Sequence, residues 1–352
     1  MGVARRRRVA GLGGSGVPVL ASHLDLSLAW GLMGPHLAGV DAAIRAQAAS
    51  FDPGVVSFVV YACESRGKRL RAALAILTGG AAGEIRPGHT DLAVIVELIH
   101  LASLVHDDVM DRAETRRGGP TAGARWGPET AVLLGDCLFA HALKLCTRFD
   151  SNVVSRRIAD AASDVCQGEI LQTRRQFDLS LTEAEYRRLI GMKTGALFAV
   201  AAELGAELAG ASVEAVAAFR EYGARLGLAY QMYDDCLDLV GTEQNTGKTL
   251  GTDLEKGKFT LPVLLRLAEA KGGDVDRIRA VLLQGDPIQR CEFIAELHAT
   301  GCFCRAVAAI REELSAAAAL LDAVKPNPYV VALRRLLSAV DGHIGVLAGA
   351  GA

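Results

Sequence analysis

Apolar residues recur at helical spacing along most of the chain, and this pattern limits the fold more than any other feature of the sequence. The run from Leu92 to Val105 is typical, because Ile95, Ile99 and Ala102 continue it at steps of three or four residues. Alternation of the kind that marks strands does not recur, and aromatic residues make up only 5% of the chain. We therefore predict an all-α protein.

Short joints containing Gly, Pro or Asp separate the helical runs, and none is long enough to link two domains. We predict one domain over residues 23–352, a helical bundle with a central cavity. Residues 1–22 differ from this pattern, since four arginines (Arg5 to Arg8) precede a Gly-rich segment that weakly resembles a signal or twin-arginine leader. Its apolar stretch is poor for a leader, so we predict a disordered N-terminal segment.

Two acidic pentads, Asp107 to Asp111 and Asp234 to Asp238, share one spacing of carboxylates. Positions i and i+4 lie on the same face of a helix, where like charges destabilise it by about 0.2–0.5 kcal/mol. A cation is needed to compensate, and carboxylates without nearby Cys or His suit Mg²⁺, which also binds substrate phosphate oxygens. Each pentad thus forms a carboxylate claw. The first claw is Asp107, Asp108 and Asp111, and the second claw is Asp234, Asp235 and Asp238.

Each claw is followed by a basic, Gly-containing stretch, which is the pairing that a diphosphate site requires. Arg116 and Arg117 follow the first claw, and Lys248, Lys256 and Lys258 follow the second. A single pentad would fit a solvated helix face equally well. Two copies, each with its basic stretch, favour a Mg²⁺-diphosphate site between two facing helices.

Three further positions share a helix face or segment with these motifs. His100 lies two turns before Asp107, hence on the same face. Gln231 precedes Asp235 by four residues and is placed to hydrogen-bond a phosphate or a partner carboxylate. Lys193, taken alone, would be an exposed lysine on an amphipathic helix.

Together these residues resemble the trans-type polyprenyl diphosphate synthases from about Gly67 to Leu265. The resemblance implies a single all-α bundle of the isoprenoid synthase type, usually dimeric, with three Mg²⁺ ions between the claws. The motifs that carry it are GKRLR at 67–71, His100, HDDxxD with RRGxPT at 106–121, Gly135-Asp136, Gly168-Glu169 with Gln172, Lys193-Thr194, Gln231, and GKTLGTDLEKGKFTLP at 247–262.

The same resemblance assigns roles to individual residues. It implies Mg²⁺ ligands at Asp107, Asp111, Asp234 and Asp238, with catalytic roles for Asp108 and Asp235 beside them. It implies allylic diphosphate ligands at Arg116, Lys193, Lys248 and Lys258. It implies isopentenyl diphosphate ligands at Gly67, Lys68, Arg69, His100 and Arg117, with Thr194 and Gln231 also in the substrate site. Departures from the family pattern occur at Arg66, Ala72 and Tyr230.

The chemistry implied is chain elongation by a prenyltransferase, in which an allyl cation is attacked by isopentenyl diphosphate. No nucleophilic side chain is needed, which agrees with the lack of a Ser/His/Asp or Cys/His set. A class I terpene cyclase is a rival reading, but it normally carries a different second metal motif and needs no isopentenyl site. A non-catalytic synthase subunit would have lost metal ligands, whereas all six claw aspartates remain.

If the product grows down the bundle from the first claw, as the resemblance implies, the residues one turn before Asp107 line its path, and these are Ala102 and Ser103. Both are small, while short-chain members of the family often carry a bulky aromatic there. The first claw also lacks the two-residue insertion of many bacterial farnesyl synthases. We therefore predict a medium or long product such as a quinone side-chain precursor, with a geranylgeranyl or farnesyl synthase as the alternative.

Charge and cysteine content limit the partners and the compartment. The net charge is −2 and no basic stripe is present, which argues against nucleic acid. The eight cysteines form no CxxC pair and lie mostly in apolar runs, so we predict buried free thiols in a reducing, cytoplasmic setting. No run of eighteen apolar residues predicts a membrane span, although the product would associate with membranes.

Overall fold

The computed structural model describes residues 27–64, 67–240 and 252–349, and within these ranges regular structure is almost entirely helical. The predicted all-α fold is confirmed. Residues 1–22, predicted to be disordered, lie outside the described residues. The helices are α1 (Ser27–Gln47), α2 (Val56–Glu64), α3 (Leu70–Ala82), α4 (Pro87–Met110), α5 (Ala122–Trp126), α6 (Pro128–Cys146), α7 (Asn152–Arg174), α8 (Glu183–Ile190), α9 (Ala196–Leu208), α10 (Val213–Val240), α11 (Thr252–Glu255), α12 (Leu261–Glu269), α13 (Gly273–Gln284), α14 (Pro287–Ala299), α15 (Cys302–Leu320) and α16 (Pro328–Gly349).

Local signals explain where several helices begin. Thr182 caps α8 by accepting a hydrogen bond from the Glu185 amide at 3.2 Å, and the Glu185 carboxylate accepts one from the Thr182 amide at 3.0 Å. This reciprocal pair satisfies two amides that the first helical turn leaves unpaired. Proline lies near the start of α4, α6 and α14. Its missing backbone N–H costs nothing there, because the first amides of a helix have no partner within the helix.

The core is built around α3, α4, α9 and α10, with α6, α7, α15 and α16 packed outside them. Tyr222, Phe198 and Phe219 are among the largest side chains that are fully buried in it. Where α3 and α9 touch, a Cβ on Gly205 would lie 2.2 Å from the Ala75 carbonyl oxygen. The helices therefore approach at backbone distance, and the aspartates at the ends of α4 and α10 are held on rigid elements.

A π-helical turn (Gly191–Gly195) separates α8 from α9 and carries Lys193. Glycines face it from both sides. A Cβ on Gly168 of α7 would lie 2.7 Å from the Lys193 amide nitrogen, and one on Gly227 of α10 would lie 2.8 Å from Gly195 Cα. Only glycine permits this packing, so the turn is clamped between two helices, and π-helical turns are frequent at functional sites.

A short ribbon of two strands was not predicted from the sequence. A two-stranded antiparallel ribbon pairs Thr115–Arg116 with Gly119–Pro120.

The continuous segment Glu183–Leu208 is long and apolar enough to cross a membrane, but 78% of its apolar window is buried inside the protein. A bent pair, Pro287–Ala299 with Cys302–Leu320, passes the same test of length and composition.

The expectation that most cysteines are buried is wrong, because apolar neighbours in sequence do not place a residue on the inner face of a helix. Four thiols are buried and four are exposed. The buried ones are Cys63, Cys146, Cys236 and Cys302, and the exposed ones are Cys137, Cys166, Cys291 and Cys304.

Candidate functional site

The first claw lies at the carboxyl end of α4. The helix ends at Met110, and the amide of Asp111 donates to the Asp107 carbonyl at 2.8 Å, so the i, i+4 pair is formed as predicted. The carboxyl end of a helix carries a partial negative charge of its own. Three carboxylates there need nearby positive charge.

Basic side chains supply that charge, and each of the three aspartates has its own basic partner. Lys193 Nζ lies 3.9 Å from Asp107 Oδ2, and Arg116 Nε donates to Asp108 Oδ1 at 2.7 Å. Asp111 faces two lysines instead. Its contacts are Lys256 at 3.2 Å and Lys258 at 3.4 Å.

The three carboxylates differ in electrostatic balance. Burial raises the pKa of Asp107 to about 6, because the distant Lys193 only partly offsets desolvation. Burial also raises the pKa of Asp108, against the opposing effect of Arg116. For Asp111 burial acts in the same direction, but the two lysines outweigh it and lower the pKa. Asp107 is thus the carboxylate short of positive charge, and a cation would stabilise it.

The second claw projects from α10, and Asp253 of α11, to which we assigned no role from the sequence, joins it. The Asp253 amide donates to Asp238 Oδ2 at 3.1 Å. Burial raises the pKa of Asp253, with further contributions from the charges of Asp234 and Asp111. Lys258 Nζ lies 4.0 Å from Asp253 Oδ1 while also reaching Asp111. The structure therefore brings both claws to one site, with Lys258 between them.

Asp235 is buried beside this shared site, near enough to Asp253 that the charge of Asp253 acts on it. Tyr186 donates to its Oδ2 at 2.6 Å, and Gln231 donates to its Oδ1 at 2.8 Å. Thr194 in turn donates to Gln231 Oε1 at 2.7 Å. Burial raises the pKa of Asp235 to about 7, against the effect of these hydrogen bonds. Of the two partners predicted for Gln231, the structure shows the carboxylate.

Lys193 is half-buried among acceptors that keep it charged. It forms an ion pair with Glu169 and donates to Gln172 Oε1 at 3.0 Å, both from α7. Although burial opposes it, the carboxylates of Asp107 and Glu169 raise the pKa of Lys193. Glu169 and Gln172 belong to a motif recognised in the sequence, Gly168-Glu169 with Gln172. Their contact with Lys193 could not be predicted, because it depends on the packing of α7 against the π-helical turn.

A second basic cluster surrounds His100 on α4. Burial, followed by the positive charges of Arg71 and Arg117, holds the pKa of His100 well below its usual value of 6.5. Gly67 packs on the same cluster, since a Cβ there would lie 3.1 Å from the Arg117 guanidinium. Lys68 Nζ lies 6.0 Å from the centre of the Tyr230 ring. A neutral imidazole surrounded by cationic side chains is suited to binding an anion.

The two arginines of the GKRLR segment have different surroundings. Arg69 donates to Asp41 at 2.9 Å and to Glu97 at 3.0 Å, and its side chain is only 8% exposed. Arg71, which belongs to the predicted motif but was given no individual role, stacks 4.6 Å above Phe198, and its buried Nε has no hydrogen-bond partner. Arg69 is thus occupied by carboxylates, whereas Arg71 keeps a free donor beside His100.

The remaining predicted positions are placed as follows. Ala102 is fully buried in α4, and Ser103 is half-buried and donates to the His100 carbonyl at 2.8 Å. Lys248 and the departure at Arg66 lie outside the described residues.

The donor set at the claws fits a hard divalent cation. Among the described residues, no three His, Cys, Asp or Glu side chains are gathered into a ready-made metal cage. Mg²⁺ does not need one, because it keeps several waters and binds through one or two carboxylates together with substrate phosphates. Two pairs of carboxylates spaced i, i+4, facing each other beside lysines, meet that requirement.

Comparison with known proteins agrees with this site. The sequence profile of the family described as "Polyprenyl synthetase" matches residues 53–296. The chain is 40% identical over 224 residues to the short chain isoprenyl diphosphate synthase of Methanothermobacter thermautotrophicus, covering 62% of this chain and 69% of that protein. It is 34% identical over 303 residues to the octaprenyl diphosphate synthase of Escherichia coli, covering 86% and 94%.

A solved structure gives the same result at the level of the fold. The polyprenyl synthase from Caulobacter crescentus, complexed with calcium and isoprenyl diphosphate, superposes with a TM-score of 0.83 and 32% identity, covering 90% of this chain and 98% of that chain. The helical fold and paired aspartate claws define a prenyltransferase of the isoprenoid synthase type. The chain belongs to the polyprenyl synthetase family.

Proposed function

We propose that this protein condenses isopentenyl diphosphate with an allylic diphosphate to make a trans-polyprenyl diphosphate. One observation carries the proposal. Lys258 contacts both Asp111 of the first claw and Asp253, which joins the second claw, and a separate arginine–histidine cluster surrounds His100 on the helix that carries the first claw. Two substrates that both carry diphosphate need two such places, one of them with metal ligands.

The claw site is assigned to the allylic diphosphate. Asp107, Asp111, Asp234 and Asp238 would hold Mg²⁺, with three ions per site by analogy with the family. When bound, Mg²⁺ neutralises the charge that develops on the departing diphosphate. Lys193 and Lys258 lie at the claws and would contact this diphosphate. Arg116 would do the same, and it also donates to Asp108. Lys248 is assigned to the same site from the sequence alone.

The cluster around His100 is assigned to isopentenyl diphosphate. Lys68, Arg71, His100 and Arg117 would contact its diphosphate, and Gly67 lets the backbone approach closely. Arg69, predicted as a direct ligand, is assigned a supporting role, because its contacts with Asp41 and Glu97 fix the segment that presents its neighbours.

The reaction needs positioning and charge stabilisation more than side-chain chemistry. The allylic carbon–oxygen bond breaks, and its electron pair leaves with diphosphate. The double bond of isopentenyl diphosphate then supplies the electrons of the new carbon–carbon bond, and loss of a proton, taken up by the departing diphosphate, restores a double bond. Lys193 and Lys258 stabilise the leaving group in a partly buried site, where electrostatic effects are strong.

We assign a medium to long product, with a geranylgeranyl or farnesyl product as the alternative. Support comes from the small side chains at Ala102 and Ser103, and the octaprenyl enzyme is among the relatives. Ala102→Phe should shorten the products seen by chromatography, since an aromatic ring there would block growth beside α4. An unchanged product distribution would remove Ala102 from the path of the chain.

A homodimer is the proposed assembly, and α6 offers the surface. Its outer face exposes Val132, Leu133 and Leu143, with the small residue Ala140 between them. Asp136 and Lys144 lie four residues on either side of Ala140. Two copies crossing antiparallel at Ala140 would therefore pair each Asp136 with Lys144 of the other copy. We also propose a cytoplasmic enzyme whose product associates with membranes.

A turnover assay tests the function directly. Isopentenyl diphosphate is supplied with a panel of allylic primers, and products are separated by length. Elongation that stops reversibly with EDTA supports the proposal. Cyclised hydrocarbon from the primer alone would indicate a terpene cyclase, and inactivity with every primer would indicate a non-catalytic subunit.

A further inference from the structure

A set of three side-chain hydrogen bonds joins α8, the π-helical turn and α10. It runs from Tyr186 to Asp235, from Asp235 to Gln231, and from Gln231 to Thr194, with donor–acceptor distances of 2.6, 2.8 and 2.7 Å. Tyr186 and Thr194 lie on either side of Lys193 in sequence. Gln231 and Asp235 lie on either side of Asp234. The set therefore connects the backbone that carries the lysine with the backbone that carries the second claw.

We infer that Tyr186 and Asp235 are positioning residues, which fix Lys193 and the second claw relative to each other before substrate arrives. The inference rests on the proposed function of this site. Under this inference, Asp235 does not bind a metal ion. Asp234 and Asp238, which are half-buried, would keep that role.

Burial separates Asp235 from its neighbours in the claw. Asp235 is 7% exposed, and its two carboxylate oxygens accept hydrogen bonds from the side chains of Tyr186 and Gln231. Asp234 and Asp238 are half-buried and lie one turn apart on α10. An aspartate that is already held by two donors is suited to orient its helix.

The hydrogen bonds add what close packing alone does not provide. Gly168 and Gly227 set how closely α7 and α10 approach the π-helical turn. Such packing tolerates small sliding along the helix axis, whereas two directional hydrogen bonds from α8 and the turn to α10 fix the register. Lys193 also contacts Asp107, so the register determines the separation of both claws.

Tyr186→Phe removes one hydroxyl and keeps the ring, and Tyr222→Phe is its matched control. Tyr222 is also buried on α10, donates to the Leu333 carbonyl at 2.9 Å, and lies 12 residues before Asp234. Both variants should lose a few degrees of thermal stability, about as much as each other. Only Tyr186→Phe should lower kcat, by roughly tenfold or more, with KM for isopentenyl diphosphate nearly unchanged.

Binding of Mg²⁺ with inorganic pyrophosphate, followed by calorimetry, gives a readout that does not depend on turnover. Tyr186→Phe should weaken this binding by about tenfold, and Tyr222→Phe should not. If both variants bind and turn over equally, Tyr186 is merely structural and the inference is overturned. Wild-type protein that binds Mg²⁺ with pyrophosphate but never elongates a primer would instead overturn the proposed function.

Asp235→Asn, compared with Asp234→Asn, tests the role given to Asp235. An asparagine can still accept from Tyr186, so Asp235→Asn should retain well over ten times the activity of Asp234→Asn. The double variant Tyr186→Phe with Asp235→Asn should be less impaired than the product of the single effects, since both act on one network. Equal loss in Asp235→Asn and Asp234→Asn would make Asp235 a metal ligand and refute the inference.

Discussion

At the scale of single residues, the two arginines two positions apart in the GKRLR segment should respond differently to the same change. Arg71→Lys keeps the charge but loses the planar fork beside His100, so KM for isopentenyl diphosphate should rise about tenfold. Arg69→Lys should instead lower the melting temperature, because it breaks one of two buried contacts with Asp41 and Glu97. Steady-state kinetics and thermal denaturation separate the two. A large KM effect for Arg69→Lys at unchanged stability would return Arg69 to the substrate site.

The first claw contains two aspartates whose neutralisation should have opposite effects on stability. The pKa of Asp107 is raised to about 6 in the folded protein, so above that pH its ionised form opposes folding, and below about pH 4 the penalty vanishes. In EDTA at pH 7.5, Asp107→Asn should therefore stabilise the protein, by on the order of 1 kcal/mol, while abolishing turnover. Lys193 keeps Glu169 and Gln172 as partners.

Asp111→Asn is the control for that change. The two lysines lower the pKa of Asp111, so its charge contributes stability that is present above the unfolded pKa and lost on acidification. Its neutralisation should lower the melting temperature at pH 7.5. Thermal scans of both variants at pH 7.5 and pH 4 check the signs, and a destabilised Asp107→Asn at pH 7.5 would contradict the electrostatic account.

Which residues lie together was predictable where spacing alone determines geometry. The i, i+4 relation placed Asp107 with Asp111 and Gln231 with Asp235, and the structure contains both pairs. Arg69 and Arg71 were not separable in this way. Arg69 adopts a left-handed backbone conformation (φ 50°) at the N-cap of α3, and the direction of its side chain depends on Asp41, which is 28 residues away.

At the scale of elements, the clamp on the π-helical turn gives a steric test. Gly168→Ala would place a Cβ 2.7 Å from the Lys193 amide nitrogen and 3.0 Å from Met192 Cβ, so α7 and the turn must separate. We expect a loss of about 1–3 kcal/mol in unfolding free energy and a fall in kcat as Lys193 moves. Denaturant unfolding and turnover measure the two effects.

Gly342→Ala is the matched control for the glycine substitution. Gly342 lies inside α16, and a Cβ there would meet nothing within 4 Å. Alanine should stabilise that helix by roughly 0.5–1 kcal/mol and leave kinetics unchanged. If Gly168→Ala behaved like Gly342→Ala, the close packing of α7 on the turn would be wrong.

Helix content was predictable from apolar periodicity, but the joints that matter most for the site were not. The π-helical turn lies inside a continuous apolar helical segment, where nothing in the local pattern distinguishes i→i+5 from i→i+4 pairing. Asp253 joins the second claw only because α11 folds back on α10. Both features arise from tertiary packing.

At the scale of the whole molecule, the apolar outer face of α6 is the feature that a monomer leaves unexplained. Val132, Leu133 and Leu143 are exposed together, and burying such side chains contributes about 25 cal/mol per Å². The placement of Asp136 and Lys144 about Ala140 makes this face complementary to itself, as a two-fold interface requires. We therefore expect a dimer in solution, with a mass about twice 37.0 kDa by sedimentation.

A disulfide across the two-fold axis tests this geometry. In a Cys137→Ser background, which removes the native exposed thiol from the same face, Ala140→Cys should form a covalent dimer rapidly under mild oxidation. The axis brings the two copies of position 140 together, and a disulfide forms only when the Cα atoms come within about 7 Å. Ala159→Cys, on the exposed side of α7, is the control and should crosslink slowly. A dimer by sedimentation in which neither cysteine crosslinks would place the interface elsewhere, whereas a monomer with full activity would show that the site is complete within one chain.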